Sequence, residues 1–201
     1  MKALLARKTL LARKTLLALA LLLMLAGCST GSGAVSTVNG GEFRFVAGTP
    51  AGTAIAVDKR APAPQFSGKL VGGGDFTSTA LRGKVAVLNF WGSWCAPCRV
   101  ETPQFQQVYA AVHAQGVDFV GLDVKEPSEA FPAAFMKRFG ITYPSVYDPR
   151  GEVALAFRDY PANAIPSTIV LDRQQRVAAV YTGTVAQRDL RSVLDRVLKE
   201  G

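Results

Sequence analysis

Cys95 and Cys98 stand three residues apart in the run Trp94-Cys95-Ala96-Pro97-Cys98. The run follows an apolar stretch, Val85 to Trp91, and opens a helical pattern, so two thiols sit where a buried strand turns into a helix. The first turn of a helix presents unpaired N–H groups and the positive end of its dipole, and both favour a thiolate over a thiol. Cys95 is the one so placed. Lowering its pKa from about 8.5 to about 7 takes roughly 2 kcal/mol of preferential thiolate stabilisation, within reach of a helix terminus and local hydrogen bonds. Such a thiolate attacks a disulfide, and Cys98, one turn on, resolves the mixed disulfide from inside the same molecule. Pro97 falls in the first helical turn, where its missing N–H costs nothing, and it stiffens the dipeptide that tunes the reduction potential.

Two plainer readings compete with this redox pair. A zinc site needs about four ligands, and the sequence offers these two cysteines and a distant His113, which falls late on the helix. A structural disulfide closing so short a loop adds little stability. No metal and no cofactor are expected.

The elements that must hold the pair follow from periodicity. Val85 to Trp91 is apolar on both parities except at Asn89, as in a central strand covered on both faces. A helix from Ala96 to about Ala114 carries Phe105, Val108, Tyr109 and Val112 on one face, with Pro103 inside it as an expected kink. Val117 to Val124 reads as a second buried strand, Ser128 to Phe139 as a helix capped by Ser128, Ser145 to Tyr147 as a short strand and Glu152 to Phe157 as a helical turn. Thr168 to Leu171 and Val177 to Tyr181 bracket a turn at 172–175. Leu190, Val193, Leu194, Val197 and Leu198 stripe a final helix. Ahead of these, Gln65 to Leu70 and Asp75 to Thr77 flank Val71-Gly72-Gly73-Gly74 as a loose hairpin. The order implies an α/β fold with a mixed central sheet and helices on both faces.

The first 27 residues carry Lys2, Arg7, Lys8, Arg13 and Lys14 and no acid, then an apolar stretch from Leu16 to Gly27. That is the pattern of a signal peptide, and the stretch is too short for a spanning helix of about 20 residues. A six-residue repeat, LLARKT, lengthens the charged region, and no function attaches to it. Leu25-Ala26-Gly27-Cys28 resembles the lipobox of bacterial lipoproteins, which implies a lipid-modified Cys28 as the anchoring residue. The alternative is an ordinary secretory signal cut near Ala26; either way the mature chain is extracytoplasmic. With Cys28 acylated, the three cysteines reduce to the CxxC pair. Removing the leader lowers the formal net charge of +8 by five, to +3, and nucleic-acid binding loses its main support. Weak attraction to anionic headgroups is still compatible with that charge. Residues 28–61, rich in Gly, Ser, Thr, Ala and Pro, read as a tether with an edge strand or two, and 62–201 as the folded domain.

CxxC, a proline in the following helix and Ile165-Pro166-Ser167-Thr168 before a hairpin together resemble a thioredoxin fold. The closest resemblance is to the TlpA/ResA group of membrane-tethered thiol-disulfide oxidoreductases, which includes DsbE/CcmG proteins. It rests on Asn89 to Pro103 and Ile165 to Asp172 and covers about Pro62 to Gly201, with an N-terminal hairpin extension and a central insert at Lys125 to Tyr143. The resemblance implies that Pro166 is a cis-proline facing the disulfide and that Ile165 offers main-chain groups to an extended substrate shaped by Trp94. It implies that Cys95 is the nucleophile and Cys98 the resolving thiol. Ordinary thioredoxins carry a buried Asp where this chain has Asn89, and the resemblance implies that Glu101, one turn after Cys98, takes its place in proton transfer, with a raised pKa. The plain alternative for Glu101 is a solvated surface carboxylate.

The activity so implied is reduction of protein disulfides outside the cytoplasm, with apocytochrome c as the family precedent and a membrane thiol-disulfide carrier as electron source. The same chemistry run as a disulfide-forming oxidase is the alternative, since 30 mV is only about 1.4 kcal/mol. A non-enzymatic binding or metal-delivery role is disfavoured by the lack of clustered His or Met, and a peroxidase role by Ser93-Trp94 ahead of Cys95.

Overall fold

The computed structural model describes residues 46–49 and 51–200. The leader, Cys28 and most of the expected tether lie outside the described residues.

Among the described residues eight strands form: β1 (Thr53–Ala54), β2 (Ser67–Lys69), β3 (Asp75–Thr77), β4 (Val85–Trp91), β5 (Val117–Val124), β6 (Ser145–Asp148), β7 (Ser167–Leu171) and β8 (Val177–Thr182). Joining them in the described residues are the helices α1 (Ala96–Val112), α2 (Ala130–Phe139), α3 (Glu152–Ala156) and α4 (Gln187–Lys199). The main sheet runs β1-β8-β7-β4-β5-β6, and β2 pairs with β3 as the separate hairpin expected around the three glycines. β4 is parallel to β5, and β5 to β6, each connection carrying a helix, while β7 and β8 add antiparallel. The mixed sheet is therefore as the sequence predicts.

Every residue of β4 is buried, because alternate side chains serve two cores. Ala86, Leu88 and Phe90 join Leu122, Val146, Phe157 and Ile169 on one face. Val85 and Val87 join Phe105, Val108 and Val112 of α1 and Leu190, Val193 and Leu194 of α4 on the other. A third, smaller cluster gathers Trp91, Cys95, Cys98 and Phe135 of α2 where β4 ends. The central insert thus lays a helix against the redox pair.

Three boundaries differ from expectation. α1 stops at Val112, and His113–Gln115 tighten into a 3-10 turn closed by Gly116 at φ 85°, a left-handed value that glycine adopts without strain. α2 starts at Ala130, with the Ser128 hydroxyl accepting from the Ala130 N–H ahead of the first turn. The folded body also begins before Pro62. β1 pairs with β8, the Ile55 N–H donates to Ala178 O, and Arg60 is buried against Asp172 and Glu200 at 3.2 and 2.7 Å. The described residues ahead of Pro62 therefore belong to the folded body, because they are held by partners more than a hundred residues away.

Both edges of the main sheet are short or covered. β1 is two residues long, and β6 is crossed by a bridge between Leu70 and Val146 and by the Val71 N–H donating to Ser145 O.

Candidate active site

The two sulfurs are joined, with S–S 2.05 Å and Cα–Cα 5.3 Å. Cys95 is the N-cap of α1, and its Sγ accepts from the Cys98 N–H at 3.2 Å, so this orphan donor of the helix points at the sulfur. Pro97 lies in the first turn, and Pro103 lies inside the helix, where the Thr102 hydroxyl donates to Cys98 O. Cys95 is 4% exposed and Cys98 0%, so a partner can approach the pair only from the Cys95 side.

The approach to Cys95 is held from β5. The Trp94 indole N–H donates to Val124 O at 3.0 Å while 48% of the residue stays exposed. Glu126 accepts from the Ser93 N–H, and Arg99 Nε donates to Ser93 O. Lys125, between the two β5-side anchors, takes a left-handed φ of 58°, which turns the chain so that both Val124 O and the Glu126 carboxylate face this loop. The sequence reading missed these anchors, since nothing local in Val124-Lys125-Glu126 marks them.

The Ile165–Pro166 peptide is cis, and Ile165 packs against the cluster that contains both cysteines. Pro166 O accepts from the Gly183 N–H at 2.9 Å. The N–H and C=O of Ile165 take no main-chain partner among the described residues. Trp94, Cys95, Cys98, Ile165 and Pro166 thus meet at one end of the sheet.

Glu101 is wholly buried, which overturns the solvated-surface alternative. Its Oε1 accepts from the Val185 N–H at 2.7 Å and its Oε2 from Asn89 Nδ2 at 3.1 Å. Burial raises its pKa from 4.5 to about 7, and the two hydrogen bonds oppose that rise without cancelling it. A carboxyl poised near neutrality, one turn from Cys98, can take and return a proton around pH 7. A second buried acid was not anticipated. Asp123 on β5 is fully buried with neither carboxylate oxygen partnered, and burial, then the charges of Glu126 and Asp148, raise its pKa to about 8. Its position in the run Leu122-Asp123-Val124, a charge in the buried part of the strand, was the available signal.

His113 is half-exposed and pairs with Asp118 at 3.0 Å, as its surface assignment predicts. Among the described residues no cluster of His, Cys, Asp or Glu could hold a metal ion, and no helix is long and apolar enough to cross a membrane.

Residues 60–180 match the AhpC/TSA family. The chain is 34% identical over 145 residues to the thiol-disulfide oxidoreductase ResA of Geobacillus thermodenitrificans, covering 72% of this chain and 80% of that protein. Among solved structures it resembles a DsbF homologue from Corynebacterium diphtheriae, with 33% identity, TM-score 0.69 and coverage of 83% of this chain and 99% of the other. It also resembles a secreted thiol-disulfide isomerase from Corynebacterium glutamicum, with 29% identity, TM-score 0.71 and coverage of 84% and 99%. A buried disulfide capping a helix beside a cis-proline, in a chain with these relatives, identifies a member of the AhpC/TSA family whose thioredoxin-like domain is a thiol-disulfide oxidoreductase similar to ResA.

Proposed function

We propose that the Cys95–Cys98 pair reduces disulfides in proteins outside the cytoplasm, from a chain held at the membrane by a lipid on Cys28. The observation that carries this reading is the asymmetry of the pair: a reachable Cys95 sulfur at a helix N-terminus, a sealed Cys98 behind it, and a near-neutral carboxyl one turn further.

In the reduced protein the Cys95 thiolate attacks one sulfur of a substrate disulfide. The substrate S–S bond breaks, a Cys95–substrate bond forms, and the departing substrate sulfur leaves as a thiolate and takes a proton. Glu101 then accepts the proton of Cys98, whose thiolate attacks Cys95 Sγ. The mixed disulfide breaks, the second substrate thiolate is released, and Cys95–Cys98 closes into the bond seen here. Two electrons have passed from the pair to the substrate. Ile165 main-chain groups and the exposed Trp94 ring form the surface that holds the extended substrate during the exchange.

A membrane thiol-disulfide carrier would return the two electrons, and apocytochrome c, the precedent in the group the sequence resembles, is the substrate to try first. The basic leader and the Cys28 motif support an extracytoplasmic site of action, as does the secreted relative from Corynebacterium glutamicum. Cys98→Ser should trap a mixed disulfide with a peptide disulfide, visible by mass spectrometry, while Cys95→Ser traps none. Adducts on Cys98 in the Cys95→Ser protein would reverse the order of the two thiols. The reduction potential decides direction: a value near about −270 mV fits a reductant and one near about −120 mV fits an oxidase.

A further inference from the structure

Asn89 sits in mid-strand of β4, buried between α1 and β7. Its Nδ2 donates to Glu101 Oε2 at 3.1 Å and to Thr168 Oγ1 at 3.2 Å, while its Oδ1 is buried with no hydrogen-bond partner. A carboxamide has two donors at one end, an acceptor with two lone pairs at the other, and nearly the same shape either way round. Here both donors are engaged and the acceptor is idle. That orientation suits an ionised Glu101, which can only accept.

It does not suit a neutral one. The Val185 N–H, fixed in the main chain, holds Oε1 as an acceptor at 2.7 Å. A proton on Glu101 therefore goes to Oε2 and meets Asn89 Nδ2 donor against donor. A half-turn of the carboxamide removes the conflict. It brings Oδ1 to the Glu101 hydroxyl and the Thr168 hydroxyl, both able to donate, so the idle acceptor gains two partners while the two N–H donors move to the side that Oδ1 occupied. Relief of the donor–donor clash and two hydrogen bonds from hydroxyls, set against the two N–H bonds given up, decide the turn.

We infer that the Asn89 carboxamide turns over each time Glu101 gains or loses its proton, with the Thr168 hydroxyl reversing from acceptor to donor in the same event. Asn89 is then a positioning residue with two settings, one holding the carboxylate and the other the acid. Thr168 lies two residues beyond Pro166 on β7, so the state of the proton is passed to the strand that follows the cis-proline. The inference rests on the reading of Glu101 as the group that exchanges a proton with Cys98.

The titratable neighbours are few. Cys98 lies on the same helix, and the buried Tyr143 hydroxyl, which has no partner of its own, feels the Glu101 charge from the segment before β6. From β4, β7 and the segment before α4 the facing groups are the neutral Asn89, Thr168 and Val185 N–H. No neighbouring charge contributes to the shifted titration of Glu101.

The test is NMR of the oxidised full chain in detergent, following the Asn89 side-chain N–H pair and the Glu101 carboxyl carbon against pH. The two should move with one midpoint. Glu101→Gln should hold the Asn89 pair at its acid-limb position at every pH, because the amide there always offers a donor. A Glu101 carboxyl that titrates beside a motionless Asn89 pair overturns the turnover and leaves the proton-transfer reading intact. An Asn89 pair that still titrates in Glu101→Gln also overturns it. If both signals move together at an ordinary carboxylate midpoint, the turnover holds and Glu101 is lost as a base near neutrality.

Discussion

Replacing Glu101 with Gln should make the protein more stable in alkali and leave it unchanged in acid. The fold raises the Glu101 pKa from 4.5 to about 7, with burial as the main cause. At about 1.4 kcal/mol per pH unit, that rise means the buried carboxylate costs about 3 kcal/mol once it is ionised. The sign follows from proton binding. Between about pH 4.5 and 7 the folded protein keeps the Glu101 proton that the unfolded chain has released, so the contribution of Glu101 to stability falls as pH rises through this window and is flat above it. Gln preserves the shape and an acceptor for the Val185 N–H, removes the charge, and lets Asn89 settle in its other orientation. The assay is urea unfolding of the oxidised protein, wild type and Glu101→Gln, at steps from about pH 4 to about pH 8. Asp123 titrates in both proteins and cancels in the difference. The expected gap is near zero at the acid end and grows to about 3 kcal/mol in favour of the variant above neutrality. A gap that does not depend on pH, or one largest in acid, would refute the account of a carboxylate held against its solvation.

Four further outcomes follow from the geometry. Asp123→Asn should match wild type in acid and exceed it by a few kcal/mol above about pH 8, since the fold favours the protonated acid; equal pH profiles from unfolding curves would count against this. Arg60→Met should cost about 3–5 kcal/mol at neutral pH by stripping a buried partner from Asp172 and Glu200. Burial pushes Asp172 up, but hydrogen bonds from Arg176 and Arg60 outweigh it and hold its pKa below the ordinary carboxylate value, so that cost should shrink only at strongly acid pH, and a constant cost would assign the effect to packing. Gly121→Ala places a methyl group against Ser145 Oγ and Trp91 Nε1 and should cost about 1–3 kcal/mol with loss of their 2.9 Å hydrogen bond; a neutral thermal midpoint would show that the wall behind the disulfide can yield. Trp94→Ala should lower stability by about 1 kcal/mol or less, because one half-exposed hydrogen bond is lost, yet raise KM for a peptide disulfide several-fold; an unchanged KM would remove Trp94 from the substrate surface.

What the sequence made legible was governed by range. β4, α1 and β5 start where the apolar runs and the helical stripe put them, because a strand covered on both faces and a long amphipathic helix write their burial into consecutive residues. Cys95 and Cys98 were readable for the same reason, being a local motif at a strand-to-helix turn. Arg60 was not, since a basic residue in a Gly- and Pro-rich stretch reads as solvated until Asp172 and Glu200 arrive from the far end of the chain. Glu101 was half legible: its spacing from Cys98 placed it near the pair, but its complete burial depends on Asn89 and the Val185 N–H. Glu126 and Val124 anchor the loop before Cys95 through contacts 30 or more residues long, which no periodicity reports.

On the proposed function, with clients that arrive as extended chains, the blunted margins of the sheet matter. An open strand edge would bind any of them along its length, tightly and without regard to sulfur. Here one margin ends in a two-residue strand and the other is crossed by the Leu70 bridge, while the main-chain groups of Ile165 stay unclaimed among the described residues. A passing chain is thereby offered a foothold of a single residue, set beside the disulfide. On the proposed function, so brief a grip would let go as soon as the exchange is finished, and turnover would be protected by what the surface declines to hold.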